Sequence, residues 1–490
     1  MAGGRPAVRS ELVTTYYDTD DRALAERGLV LRVRQCDGSF VQAVKSAGVA
    51  GESPLARGEW EDAITGPLPD ATAARTGPFL TPDIDGRLAP LFASEVARDT
   101  VDLAPLPDTR IEVAIDRGRI VAPGNDRSER ISEIEFELKS GEVASLYDTA
   151  LRLLEIAPLR IEQRSKGERG YRLAAGAAAP IRAAKADLPH LDPALSGDVA
   201  LQRIGHAALD QILHNERAAL AGHADGVHQM RIALRRLRAA LSALRTMLPA
   251  EQRRHLSHEM RWLAGVLGEA RNLDVFVSAL IRPAREALPE RDAAERNALR
   301  QLAVAARQRR RIAYATVRQA LRSPRYTALI LRLARWFDSR GWADSDAAED
   351  LRRPLGEIAP WVLHRRHRNA RKRSKHFARQ SYEDRHELRI ALKKLRYTGE
   401  VLGGLYDSEK VREFTEQLKL LQDDLGAAND LHVGRSLVIA LAGGRSRRAA
   451  TMAAAGKQML EWHERRLAAN EPALRSRLKR AVRSDPFWDS

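Results

Sequence analysis

The chain has 490 residues, too many for one hydrophobic core, and its length predicts about two to four domains. Its charge is divided unevenly, because residues 1–190 hold 25 basic and 30 acidic side chains whereas residues 191–490 hold 56 and 35. The single cysteine, Cys36, excludes a disulfide framework and a thiolate metal site, and the lack of a signal peptide or long apolar run predicts a cytoplasmic protein that does not enter a membrane.

The first part of the chain has the pattern of β-strands. From Thr14 to Ile134, apolar residues alternate with polar ones in short runs that Gly, Pro and Asp separate. Charged residues two positions apart, such as Glu59 and Glu61, point to the same side of a strand. This alternation indicates an antiparallel sheet with one solvated face. It leaves open a barrel with a charged interior, which would suit a phosphate chain held by basic groups and metal held by carboxylates.

Seven segments of this region resemble the CYTH family, the triphosphate tunnel metalloenzymes. They occur in the family's order: TYYDTDDRALAERGLVLRVRQ, QAVK, RGEWE, PLFASEVAR, IEVAIDRG, ISEIEFELKSG and RSKGERGYRL. The resemblance covers about residues 13–175, within a domain predicted at 1–175. It implies an antiparallel β-barrel that binds triphosphate and hydrolyses or transfers it with Mg²⁺ or Mn²⁺.

The same resemblance implies roles for individual residues. Triphosphate binding falls to Arg32, Arg34, Lys45, Arg98 and Lys166. Catalysis falls to Glu59, Glu61 and Lys45, and metal binding to Glu112, Glu135 and Glu137.

The beginning of the sequence departs from the family pattern. The family opens with a Glu-x-Glu-x-Lys strand, which is not found ahead of Tyr16; the similar string that starts at Glu135 belongs to a late strand. Either the start of the polypeptide has been placed too far downstream or the domain has lost a strand. A lost strand would leave an open sheet edge and remove metal-binding carboxylates. Whether the protein is an enzyme, a divalent-metal-dependent inorganic triphosphatase, therefore stays open.

A duplicated helical region follows an Ala- and Pro-rich linker at residues 176–194. Over residues 195–485, Leu and Ala recur at helical spacing. VHQMRIALRRLR at Val227 returns as RHELRIALKKLR at Arg385, and LGEARNLDV at Leu267 returns as LGAANDLHV at Leu425, each 158 positions later. The sequence predicts an all-α domain of two helical bundles, at about 199–345 and 355–482.

Each copy of the repeated helix carries a basic ridge beside its apolar stripe when it is drawn at 100° per residue. One such ridge is typical of a solvated surface. Two copies of a ridge whose like charges repel one another indicate a bound anion. The predicted polyanion site comprises these ridges and the basic stretch before the second copy: His228, Arg231, Arg235, Arg238, Arg365, Arg368, Lys372, Lys375, His386, Arg389, Lys393 and Arg396.

Aromatic residues make up only 5% of the chain, which favours inorganic polyphosphate or triphosphate over nucleic acid as the partner. The paired helical elements resemble the CHAD domain, a module of two related bundles that binds inorganic polyphosphate along basic surfaces. That resemblance covers about residues 195–480, and it implies an association with polyphosphate granules. The LGEARNLDV and LGAANDLHV segments are interpreted as turns with helix-capping residues. Two alternatives stay open: a catalytically inactive granule-targeting protein, and a nucleic-acid binder that acts by charge alone.

Overall fold

The structure is a computed structural model that describes residues 6–46, 53–55, 58–123, 127–176, 180–185, 188–444, 446–483 and 486–489. The chain forms two compact units. The first holds Met1–Ile181 with Ile330–Gly341, and the second holds Arg182–Leu329 with Trp342–Ser490. Within the described ranges, no helix is both long enough and apolar enough to cross a membrane.

The first unit is built on one antiparallel sheet of seven strands. They are β1 (Val8–Asp18), β2 (Leu29–Cys36), β3 (Ser39–Ser46), β4 (Glu59–Ile64), β5 (Ala89–Leu106), β6 (Thr109–Val121) and β7 (Ser128–Ser140). Their order across the sheet is β4-β3-β2-β1-β5-β6-β7. This confirms the predicted antiparallel β domain. Among the described residues β4 and β7 do not pair with each other, so the sheet is open and does not close into a barrel.

Four helices accompany the sheet: α1 (Ala23–Glu26), α2 (Pro82–Asp85), α3 (Val143–Ile156) and α4 (Lys166–Ala174). Helix α4 begins with a capping box, in which Ser165 and Glu168 each accept a hydrogen bond from the other's backbone N–H. Gly170 lets α4 lie directly on β5, because a Cβ atom there would meet the ring of Phe92 at 2.0 Å. The helix thereby carries its first residue, Lys166, to the charged side chains of the sheet.

The second unit is helical. Its helices are α5 (Gly197–Leu220), α6 (Ala224–Ala243), α7 (Ala250–Val275), α8 (Arg282–Ala287), α9 (Ala293–Leu321), α10 (Pro324–Asp338), α11 (Leu355–Arg373), α12 (Tyr382–Leu402), α13 (Ser408–Leu441) and α14 (Arg447–Arg483), and α10 crosses the division between the units. Helices α5, α6 and α7 each begin 158 positions before α11, α12 and α13. The duplication seen in the sequence is therefore a duplication of helices.

The repeated helices α6 and α12 are in contact, with Arg235 over the ring of Tyr397 and Arg236 beside Glu400, and the apolar stripe of each helix is buried. Leu234 and Leu237 of α6, like Leu388 and Leu392 of α12, are completely buried. The projection thus predicted the buried face of both helices correctly. The capping interpretation was wrong, because LGEARNLDV lies within α7 and LGAANDLHV within α13, where the helix continues past both segments.

Candidate functional site

Four predicted residues meet on one side of the sheet in the first unit. Lys45 of β3 is the direct cross-strand partner of Glu59 on β4, and its Nζ lies 2.9 Å from the Glu59 carboxylate. Arg32 of β2 reaches the same carboxylate at 2.6 Å and that of Glu61 at 3.6 Å. The register of three adjacent strands therefore brings together the residues for which the sequence predicts catalysis.

Arg34 lies near this group but has a different environment. Its Nε is buried and has no hydrogen-bond partner among the described residues. Burial, and then repulsion from Arg32 and Arg98, lowers the pKa of Arg34. Arg34 is thus a cation available to an anion, whereas Arg32 is already neutralised by carboxylates.

A second group of charges gathers around Lys166. The ammonium group of this residue lies 2.8 Å from Asp116 and 2.8 Å from Glu135, and it also contacts Glu133. Arg98 makes two hydrogen bonds of 2.7 Å to Asp116 and one of 2.6 Å to Glu135. Two predicted phosphate-binding cations therefore lie between three carboxylates.

These carboxylates form the only group of three acidic or histidine side chains, among the described residues, whose oxygens lie close enough to share a metal ion; they are within 4.8 Å of one another. Of the three residues predicted to bind metal, Glu135 belongs to this group, and Glu112 and Glu137 do not. Glu112 and Glu137 are cross-strand partners that lie beside Lys139, at 3.7 and 2.7 Å. Along β6, Glu112 is four residues from Asp116, or about 13 Å, and along β7, Glu137 is two residues from Glu135, or about 7 Å.

Asp116 and Glu133 are the members that the sequence analysis missed as ligands. They face each other across β6 and β7, and Asp116 is fully buried. Their place in the alternating pattern was visible, but the choice among alternating carboxylates needed the strand register. An oxygen-only donor set of this kind suits Mg²⁺ or Mn²⁺.

The acidic cluster is electrically balanced by its neighbours. Although burial opposes the charged form of Glu135, Lys166 and Arg98 hold the pKa of this carboxyl well below its usual range. Burial likewise opposes the charge of Lys166, but Glu135, Glu133 and Asp116 raise the pKa of its ammonium group. A divalent ion at this position would have to replace the contacts that Lys166 makes.

The second unit brings its two basic ridges together. Burial, followed by repulsion from Arg389, Arg235 and Arg231, lowers the pKa of Lys393 to about 7. Cations of both ridges, Arg231 and Arg235 on α6 and Arg389 on α12, therefore lower the pKa of the same ammonium group. We call this cluster the double ridge and define it as His228, Arg231, Arg235, Arg389, Lys393 and Arg396.

The double ridge has fewer acidic partners than the cations of the first unit: Arg396 lies 3.4 Å from Glu400, and Asp430 acts on both Arg389 and Lys393. The Nε atoms of Arg231, Arg235 and Arg389 are buried without a hydrogen-bond partner among the described residues. Burial, and then Arg235 and Arg271, lowers the pKa of Arg231 to about 10. Such a concentration of unpaired positive charge is destabilising unless an anion neutralises it.

Arg271 belongs to this environment and was not predicted to bind. The pKa of His228 is lowered to about 4, first by burial of the imidazole and next by the charge of Arg271. The repeated LGEARNLDV segment contains Arg271, so the signal was present in the sequence. It was misread because the segment was assigned to a turn instead of a helix.

The other predicted polyanion residues lie apart from the double ridge. Arg238 has Arg261 as its charged neighbour, and Arg365 has Arg245. The guanidinium of Arg365 lies 4.4 Å over the ring of Trp361, which is 44% exposed. The remaining members of the predicted set are exposed on or just after α11, or lie beside Tyr382 on α12: Arg368, Lys372, Lys375 and His386.

The glycine of each repeated segment, Gly268 in LGEARNLDV and Gly426 in LGAANDLHV, lies beneath an arginine of the double ridge. A Cβ atom at Gly268 would lie 2.8 Å from Nη1 of Arg231, the same atom that donates a hydrogen bond of 2.7 Å to the carbonyl of Ala264. At the equivalent Gly426, the nearest atom is Nη2 of Arg389 at 3.9 Å. The first arginine therefore needs its glycine more than the second does.

Comparisons with known proteins agree with both units. The sequence matches the family model of the CYTH domain over residues 3–171 and that of the CHAD domain over residues 203–438. The chain is therefore a CYTH–CHAD protein.

Individual relatives support the same division. An inorganic triphosphatase of Haemophilus influenzae is 33% identical over 163 residues, which are 33% of this chain and 46% of that protein. An uncharacterised protein of Mycobacterium tuberculosis is 28% identical over 273 residues, 54% of this chain and 48% of that one. The CYTH–CHAD chain thus aligns with about half the length of these curated relatives.

The crystal structure of the CHAD domain from the plant Ricinus communis is 28% identical, with a TM-score of 0.53, and the match covers 61% of this chain and 96% of that one.

Substituting the two glycines of the CYTH–CHAD protein tests whether the position of Arg231 matters. Gly268→Ala should displace the Arg231 guanidinium and weaken polyphosphate binding about fivefold, or ~1 kcal/mol. Gly426→Ala, where the new methyl group meets only an ordinary contact, should change the affinity by less than twofold. Both substitutions favour helix formation, so neither should unfold the protein. Equal effects in a titration at fixed ionic strength would show that the arginine position is unimportant.

Proposed function

We propose that the helical unit binds inorganic polyphosphate or triphosphate on the double ridge. The observation that carries this proposal is a set of buried arginine Nε atoms that have no hydrogen-bond partner among the described residues, on two helices that are in contact. A phosphate chain offers many oxygen acceptors and repeated negative charge, which this arrangement of donors requires. The resemblance to a CHAD domain, which the family match bears out, supports the same ligand.

Inorganic phosphate fits the double ridge better than nucleic acid does. Single-stranded nucleic acids are bound by cations together with aromatic rings on which the bases stack. Tyr397 is the aromatic residue beside Arg235 and Arg396, and it is only 5% exposed. Its ring is covered by these guanidinium groups and offers no surface for a base, and Tyr382 on α12, which is 38% exposed, offers a surface for one base but not for a run of stacked bases.

For the first unit we propose triphosphate binding, with hydrolysis that depends on a divalent metal such as Mg²⁺ or Mn²⁺. The similarity to an inorganic triphosphatase supports this reaction class. Asp116, Glu133 and Glu135 would hold the ion, which would supply charge neutralisation and an activated water. Lys166 and Arg98 would then bind the phosphate oxygens.

The proposal assigns these roles to a CYTH domain at 1–175 and a CHAD domain at 195–485, joined by residues 176–194. It includes action in the cytoplasm, near stored polyphosphate. The alternative is a catalytically inactive protein that binds polyphosphate granules. One observation favours that alternative: the carboxylates of the first unit are already neutralised by Lys166 and Arg98.

The binding proposal is tested by removing one cation from each helix of the double ridge. Arg235→Ala combined with Lys393→Ala should weaken long-chain polyphosphate binding on the order of 100-fold, since each hydrogen bond to a charged group contributes about 1.5–3 kcal/mol. The control removes the same charge from Arg412 and Lys457, whose side chains are 76% and 80% exposed. Both pairs must be compared at one salt concentration, because counterion release affects every polyanion complex. Equal losses would mean that net charge alone determines binding.

The hydrolysis proposal is tested by phosphate release from tripolyphosphate with Mg²⁺ or Mn²⁺. Glu135→Gln should lower the rate by about 100-fold or more, because a metal-binding carboxylate is lost. Glu137→Gln on the same strand, outside the cluster, should change the rate by less than threefold. No release by the unaltered protein with either metal would favour the inactive alternative.

A further inference from the structure

The second repeat contains a cleft of about 380 Å³ between α12, α13 and α14. Its lining includes the apolar side chains of Leu425, Leu467 and Leu474, and Tyr382 and Arg389 from the ridge-bearing helix. Cavities of a few hundred cubic ångströms with an apolar surface and a few polar groups are typical of small-molecule sites. Inorganic polyphosphate has no apolar surface, so this lining indicates a ligand with an organic part.

The corresponding space in the first repeat is filled by the protein itself. The buried residues of α9 and α14 match at an offset of 157: Ala298 with Ala455, Leu302 with Met459, Val317 with Leu474, and Leu321 with Leu478. At this offset Leu467 and Glu471 stand where the first repeat has Arg310 and Tyr314.

Arg310 and Tyr314 make one compact group. The guanidinium of Arg310 lies 4.1 Å from the centre of the Tyr314 ring, and both residues donate hydrogen bonds to the carboxylate of Asp274. In the second repeat the position equivalent to Asp274 is His432, at the offset of 158. The cleft therefore lies where one repeat has lost the side chains that fill the other.

His432 instead supports an aromatic wall of the cleft. Its ring stacks on Tyr382 with 4.5 Å between the ring centres and 21° between the planes. His386 lies on α12 with its ring 6.2 Å from that of Tyr382. Tyr382 is 38% exposed despite these contacts, so part of its surface is available to a ligand.

Arg389 connects the cleft with the double ridge. Arg389 lines the cleft, and its Nε is buried without a hydrogen-bond partner in the described part of the chain. After the effect of burial, Arg389 is the charged neighbour that most lowers the pKa of Lys393. By contrast, Arg385 is already paired with Glu471 at 3.0 Å. A negative group at the inner end of the cleft would meet Arg389 first and Lys393 beyond it.

We propose that this cleft binds the base and sugar of a nucleoside triphosphate, whose phosphates extend over Arg389 onto the double ridge. The base would lie on the leucine side chains against Tyr382. Asp424 and Asn470, which line the cleft and are hydrogen-bonded to each other at 2.9 Å, offer acceptors and donors to the edge of a base. Only the phosphate half of this inference rests on the proposed function of the double ridge.

The test compares ATP with tripolyphosphate, which has the phosphates but neither base nor sugar. In calorimetric titrations of the full chain, ATP should bind at least tenfold more tightly than tripolyphosphate at the same pH, magnesium concentration and ionic strength. Ala468→Phe, which fills the cleft from an exposed position on α14, should remove that advantage and change tripolyphosphate binding by less than twofold. Ala469→Phe, at the next exposed position and outside the lining, should leave both affinities unchanged.

The outcomes separate this inference from the function proposed for the double ridge. If tripolyphosphate binds but ATP gains nothing over it, the cleft does not hold a nucleoside and the inference is wrong. It is also wrong if Ala468→Phe weakens both ligands equally or leaves the ATP advantage intact. If tripolyphosphate itself does not bind, the proposed function of the double ridge fails, whatever ATP does.

Discussion

Repulsion between cations that apolar packing holds close together is the constraint on which the functional surface of the helical unit depends. The buried leucine stripes of α6 and α12 hold each helix in the bundle, and because the two helices are in contact, the basic ridge of each lies within electrostatic reach of the other. Burial and this repulsion lower the pKa values of Arg231 to about 10 and of Lys393 to about 7. The hydrophobic effect thus maintains a charge arrangement that is unfavourable until an anion is bound.

In the first unit, by contrast, most of the clustered cations are paired with carboxylates. There the strand register places several cations beside carboxylates, as in the pair formed by Lys45 and Glu59, although Arg34 is an exception. Lys166 even occupies the centre of three carboxylates that could otherwise share a metal. A ligand that meets Lys166 or Arg98 must exchange existing ion pairs for new ones, whereas the double ridge offers arginine Nε atoms that have no hydrogen-bond partner in the described part of the chain. This difference predicts that the helical unit is the stronger anion binder of the two.

Sequence patterns predicted the features that depend on local periodicity. The apolar and basic faces of α6 could be separated because 100° per residue determines which side chains share a face. The alternation along β2 and β7 likewise identified strands whose charges point one way. Repeats at a fixed offset predicted the duplicated helices.

Features that depend on contacts between distant elements could not be predicted in this way. The choice of Asp116 over Glu112 as a neighbour of Glu135 needed the positions of Arg98 and Lys166, because Glu135 pairs with Ala114, midway between the two carboxylates. The cleft lies where Leu467 and Glu471 replace Arg310 and Tyr314 of the first repeat, and only the buried positions of α9 and α14 align these residues. The helical state of LGEARNLDV was missed because its polar residues favour caps and turns in isolation, and tertiary packing overrides that preference.

Proton uptake on polyphosphate binding tests the central claim most directly. Because the pKa of Lys393 is lowered to about 7 in the free protein, its amine is mostly neutral at pH 8, and a bound anion should raise that pKa and draw a proton from solution. Calorimetry at pH 8, in buffers that differ in ionisation enthalpy, should show an uptake approaching one proton per double ridge. Lys393→Arg, whose guanidinium stays charged, should bind with almost no uptake. Binding of the unaltered protein without proton uptake, or an equal uptake by the variant, would contradict the account.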